Sequence, residues 1–98
     1  MKINQTKNGG ALTMALEGRL DTMTAPELEA VLKDALEGVT ELTFDFTALD
    51  YISSAGLRVL LGAQKTMHRQ GSMKVTHVNE MIMEVFDVTG FTDFLNIE

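Results

Sequence analysis

Two adjacent hydroxyls, Ser53 and Ser54, stand in the run Tyr51-Ile52-Ser53-Ser54-Ala55-Gly56-Leu57, at the head of an amphipathic segment. The pattern predicts a strand-to-helix turn with the helix beginning around Ser54. Either serine can cap the free amides there, a place for which serine is strongly preferred. A helix N-terminus offers unpaired N–H groups and a partial positive charge, so it accommodates an anion. Beside the small Ala55 and Gly56, the Ser54 hydroxyl is expected to be accessible and open to a bulky partner. Arg58 follows one helical turn on, placed to pair with a phosphate on Ser54. The pair reads either as a plain helix cap or as a cap that is also modified: a phosphoserine here would be tolerated by the fold, and its effect would fall on whatever docks above it.

The same helix carries a second pattern. At about 100° per residue, Leu57, Val59, Leu60, Leu61, Ala63 and Met67 share one arc, while Arg58, Lys65 and Arg69 gather on the other. Those three are drawn from only eight basic residues in the chain. They read either as a solvated face or as a docking strip for an acidic partner. Gly62 costs roughly 1 kcal/mol relative to Ala in a helix interior; a close approach of another backbone or tight packing inside the domain accounts for it. Enzymatic use of Ser54 is not expected. A nucleophile elbow needs Gly-x-Ser-x-Gly, and Ile52 stands where the first glycine belongs. His68, on the helix, and His77, in an expected strand, are the available bases. There is no Gly-x-x-x-x-Gly-Lys-Ser/Thr phosphate loop, and Asp45 to Asp50 do not form the acidic cluster of a receiver domain.

The elements that position this turn are legible from periodicity. Lys2 to Lys7 form a strand that turns at Asn8-Gly9-Gly10, where positive φ is tolerated. From Ala11, Leu12, Met14, Leu16 and Leu20 alternate on one face of a second strand. Thr24 is expected to cap the first helix, with Glu27 returning the bond and Pro26 in the first turn. Its stripe is Leu28, Val31, Leu32, Ala35 and Leu36, and Gly38 ends it. Leu42, Phe44 and Phe46 mark a third strand ending near Thr47-Ala48, which leaves Thr47 to Gly56 as a loop. The second helix runs from Ser54 to Gly71, and Met73 to Val78 make a fourth strand. Asn79 caps a third helix with Met81, Ile82, Val85 and Phe86 inward, ending at Gly90, and Leu95 to Ile97 form a last short strand. The order ββ-α-β-α-β-α-β implies an α/β fold: one mixed, largely parallel sheet with an N-terminal hairpin and three covering helices. Loops at the C-terminal ends of such strands are where open α/β sheets place their chemistry.

Composition narrows the role. The 98 residues fit one domain spanning 1–98, with 45% hydrophobic and 22% charged residues, as in ordinary globular chains. A net charge of −6 argues against a nucleic-acid partner and against an anionic membrane surface. The absence of Cys excludes disulfides, thiolate zinc sites and thiol nucleophiles. No run has transmembrane length, and Met1-Lys2-Ile3-Asn4-Gln5 lacks an apolar signal core, so a cytoplasmic location without membrane insertion is expected. Seven Met residues serve as core filler or as a soft interface.

Taken together, Gly18-Arg19-Leu20-Asp21, Thr24-Ala25 opening one helix and Ser53-Ser54-Ala55-Gly56-Leu57 opening the next resemble the STAS domain. More narrowly they are similar to the bacterial anti-sigma factor antagonists, over nearly the whole chain. The resemblance implies a non-catalytic protein without metal or other cofactor. Its serine two places before the motif glycine, here Ser54, is phosphorylated by an anti-sigma factor that is also a serine/threonine kinase. The unphosphorylated form binds that kinase and frees the sigma factor, and a PP2C-type phosphatase resets the switch. Asp21 matches the loop aspartate beside the phosphosite. The implied partner surface comprises Asp21, Thr22, Ser53, Ala55, Gly56, Leu57, Arg58, Lys65 and Arg69. The chain departs from the family pattern at Ser53, where many members carry Asp, and at Arg58, where a small residue is frequent. The alternative is a STAS binding subunit of a transporter ATPase or of a larger signalling assembly, without a phosphoserine switch.

Overall fold

The fold is taken from a computed structural model that describes residues 1–98. Its elements are β1 (Lys2–Asn8), β2 (Ala11–Leu20), α1 (Ala25–Ala35), β3 (Glu41–Ile52), α2 (Ser54–Gln70), β4 (Ser72–Thr76), α3 (Glu80–Thr89) and a 3₁₀ turn, Phe91–Asp93. The sheet order is β1-β2-β3-β4, with β1 antiparallel to β2 and the other pairs parallel. This is the expected mixed, largely parallel sheet. Asn8 pairs with Ala11 across a two-residue turn in which Gly9 adopts φ 63°, the conformation a tight hairpin asks of its first turn residue.

Alternation decides the core. Leu12, Met14, Leu16 and Leu20 of β2, Leu42, Phe44 and Phe46 of β3, and Met73 and Val75 of β4 are all buried. Their neighbours Thr13, Thr43, Asp45 and Lys74 are only half-buried, so the core lies on one face of the sheet. Leu28 and Leu32 of α1, Leu60, Ala63 and Met67 of α2, and Ile82 and Phe86 of α3 close it. The Gln70 side chain donates to the carbonyls of Leu36 (2.7 Å) and Val39 (2.6 Å), tying the end of α2 to the end of α1. At the same end Gly71 meets Thr40 so closely that a Cβ would collide with its carbonyl oxygen.

Four expectations need correction. First, β3 does not stop near Thr47-Ala48 but runs to Ile52. Its pairing with β2 shifts register between Ala15 and Glu17 and again between Gly18 and Arg19. Each shift inserts one extra β3 residue, so the buried positions go from Phe46 to Leu49 to Ile52 and the period of two is lost. Second, β4 ends at Thr76, and His77 follows it in the left-handed region at φ 58°, which breaks the extended run. Third, Met81 points outward, 58% exposed, because the inward line of α3 is Ile82 to Phe86 at four-residue spacing. Fourth, Leu95 to Ile97 contribute a single parallel bridge, Val75 to Ile97, rather than a strand.

Candidate docking site at the mouth of the second helix

Parallel strands β2 and β3 end side by side, with Leu20 opposite Ile52, so the segments leaving them open at the same edge. The Ser53 N–H donates to the Leu20 carbonyl at 2.9 Å, joining the two exits. Ser53 is the N-cap of α2; its Oγ accepts from the Gly56 N–H at a long 3.5 Å, and it is half-buried. Ser54 occupies the first helical position and is exposed, with no hydrogen bond from its own side chain. The two hydroxyls therefore divide the roles: one caps, the other faces solvent.

Gly56 and Leu57 are placed differently from the expectation. Both are buried, Leu57 to 6% exposure, so neither adds open surface beside the serine. A Cβ on Gly56 would lie 2.7 Å from Leu20 Cγ and 2.8 Å from Ile52 Cγ1, so the glycine lets the first turn of α2 sit against the strand ends. Ala55 is half-buried, and Arg58 is exposed. Thr22, Pro26, Ala55 and Arg58 share a shallow depression between the starts of α1 and α2. Lys65 and Arg69 are exposed on the same helix stripe but lie further along it. From Ser54 the axial separation is about 16 Å to Lys65 and about 22 Å to Arg69. Gly62 is exposed with nothing within 4 Å of a Cβ placed there, so tight packing inside the domain does not account for it.

The turn Asp21 to Thr24 leaves β2 at this same edge of the sheet. The expected box between Thr24 and Glu27 does not form, since Thr24 makes no side-chain cap bond. Asp21 instead fixes the turn ahead of the helix: its Oδ1 accepts from the N–H groups of Met23 (3.0 Å) and Thr24 (3.1 Å). The Thr24 hydroxyl turns back, accepting from the Asp21 N–H at 2.9 Å and donating to the Arg19 carbonyl at 2.8 Å. The Thr24 N–H, ahead of the Met23 N–H and of Arg19, holds the Asp21 carboxyl below its ordinary value, against a smaller opposing effect of burial. Arg19 lies 3.7 Å from Asp21 and 4.3 Å above the Tyr51 ring centroid, so the charged turn is braced by a cation on an aromatic face. Arg19, Tyr51 and the 86% exposed Met23 were not singled out by sequence reasoning. Opposite register positions join Arg19 to Tyr51, and that pairing is invisible until the two bulges in β3 are known.

Nothing here assembles a catalytic constellation: His68 is exposed on α2, and His77 lies after β4, 3.6 Å from Asp45. What this edge presents is an exposed hydroxyl at a helix N-terminus and, on the segment leaving the neighbouring strand, a turn fixed by a carboxylate. Such an arrangement suits reversible docking that a charge can alter. The pattern defining the STAS domain matches residues 2–98, and the chain belongs to the STAS domain family. Relatives that it matches include proteins named as anti-sigma factor antagonists. BtrV of Bordetella bronchiseptica, which carries that name, is 37% identical over 93 residues, covering 93% of this chain and 80% of BtrV. The anti-sigma-B factor antagonist of Bacillus subtilis is 28% identical over 98 residues, covering 99% and 90% of the two chains. Among solved structures, the Bacillus cell fate determinant SpoIIAA in its phosphorylated form superposes with a TM-score of 0.77 at 18% identity, covering 99% of this chain and 91% of its own. No helix is long and apolar enough to cross a membrane.

Proposed function

We propose that this chain is a cytoplasmic, non-catalytic anti-sigma factor antagonist switched at Ser54. Unphosphorylated, it binds an anti-sigma factor that is also a serine/threonine kinase and thereby releases a sigma factor. The kinase phosphorylates Ser54, the complex breaks, and a PP2C-type phosphatase restores the binding form. The names of the relatives support the first part, and the description of SpoIIAA in a phosphorylated form supports the second. One observation carries the choice of residue: Ser54 is exposed at the first position of α2 while its neighbour Ser53 is committed to the cap.

The physics of the switch follows from that placement. Phosphorylation adds about −1.5 to −2 charges. The amides at the start of α2 accept this charge, and Arg58 one turn on can neutralise part of it, so the fold stays intact. A partner that covers Ser54 has to desolvate the same charge beside the ionised Asp21, which costs binding rather than stability. The contact surface in this reading is Asp21, Thr22, Ser53, Ser54, Ala55 and Arg58, with Gly56 and Leu57 setting the helix in place beneath it. Calorimetric titration of the anti-sigma kinase with wild type and Ser54→Asp tests this. The variant should bind at least about thirtyfold more weakly while keeping a cooperative thermal transition. Equal affinity of the two proteins would refute the switch.

A further inference from the structure

Beyond the serine, α2 carries a second feature on its far half. Lys65, His68 and Arg69 rim a hollow to which Phe94 contributes an aromatic wall, with Gln64 beside them. Two observations together mark this place: free cations gathered on one stripe, and a fixed aromatic ring left partly open beside them. The cations are unpaired: the ion pairs of the chain are Arg19 with Asp21, Lys74 with Glu98 and His77 with Asp45, although 14 acidic residues face 8 basic ones. Phe94 is 42% exposed, yet its ring is held 4.6 Å from that of Phe91, which in turn stacks on buried Phe86 at 6.4 Å.

Each feature calls for a different part of one ligand. Two free cations call for carboxylates, and a fixed and partly open ring calls for an apolar side chain. We propose that this hollow docks an acidic peptide segment of a partner protein, anchored by an apolar side chain against Phe94. A polyanion such as nucleic acid fits poorly, because two cations stand on a molecule of net charge −6. The hollow lies about 16–22 Å along α2 from Ser54. A partner can therefore keep hold of it while the serine surface changes charge, and the proposal does not depend on the switch.

The test uses the full chain, isotopically labelled for amide spectra, titrated with the peptide acetyl-EELEEL-amide. Saturable shifts should appear at Gln64, Lys65, Arg69 and Phe94, and the reversed-charge peptide acetyl-KKLKKL-amide should produce none. The double variant Lys65→Glu, Arg69→Glu alters exposed residues only, so it should keep the wild-type melting curve and bind the acidic peptide about tenfold or more weakly. Ser54→Asp should leave this binding unchanged, which separates the outcome from that of the serine switch. Absence of saturable shifts at these residues, equal binding by the double variant, or equal binding of the basic peptide would overturn the proposal. So would shifts that depend on protein concentration without peptide, which assign the hollow to a second copy, or tighter competition by duplex DNA.

Discussion

Replacing Gly56 with Ala probes the contact that sets Ser54 in place. The added Cβ would stand 2.7 Å from Leu20 Cγ, 2.8 Å from Ile52 Cγ1 and 3.0 Å from the Leu20 carbonyl oxygen. Leu20 and Ile52 are 0% and 2% exposed, so their side chains have nowhere to swing. The Leu20 carbonyl is also fixed, because it accepts the Ser53 N–H. Relief has to come from lifting the first turn of α2. Overpacking of this kind costs about 1–3 kcal/mol, and the better helix propensity of Ala offsets at most about 1 kcal/mol. The net loss is on the order of 1–2 kcal/mol, or a fall in Tm of about 4–16 °C for a chain of this size. Gly62→Ala is the internal control: nothing lies within 4 Å of its Cβ, so it should gain about 0.5–1 kcal/mol from propensity alone. Thermal unfolding followed by circular dichroism measures both. A Gly56→Ala protein as stable as wild type would refute the tight seat of α2 against the strand ends.

Further outcomes follow from the same geometry. The Asp21 carboxyl has its pKa lowered from 3.8 on folding, so its stabilisation is complete above that value and is lost as pH falls through the lowered one. Acid unfolding of Asp21→Asn and wild type should therefore converge in that acidic window and diverge above it; parallel curves throughout would contradict the assignment. Asn79→Ala removes the cap on Ile82 (2.8 Å) and the bond to the Leu49 carbonyl (3.0 Å). It should cost about 1–2 kcal/mol in urea denaturation. Ser53→Asp places a charged acceptor where the present cap bond is long, and should raise stability by about 0.5–1 kcal/mol in the same assay; a loss would show that Ser53 is not the cap.

Much of this architecture is legible in the sequence where one period runs unbroken. The alternation of Leu12, Met14 and Leu16 and the helical spacing of Leu60, Ala63 and Met67 each identify a single buried face. The two bulges in β3 defeat the same reasoning, because Leu49 and Ile52 fall out of phase with Phe46 although all three are buried. Capping is legible only as a choice of candidates. Thr24-x-x-Glu27 is a good capping pattern, yet Asp21 takes the Thr24 N–H that Glu27 would have accepted, and the Thr24 hydroxyl turns back to the Asp21 N–H. At the candidate site, Ser54 and Asp21 were found from motif and position. Arg19, Tyr51 and Met23 were not, since their roles arise from strand pairing and exposure. The basic residues Arg58, Lys65 and Arg69 share a stripe on a helical wheel, which hides the axial distance that separates them into two places.

In the proposed switch Ser54, and not the capping Ser53, is the modified hydroxyl. Incubation with the cognate anti-sigma kinase and ATP, followed by intact mass and fragment mapping, measures it directly. Wild type and Ser53→Ala should each gain one phosphoryl group, on Ser54, and Ser54→Ala should gain none. A phosphoryl group on Ser54→Ala, or its loss in Ser53→Ala with the fold intact, would contradict the account.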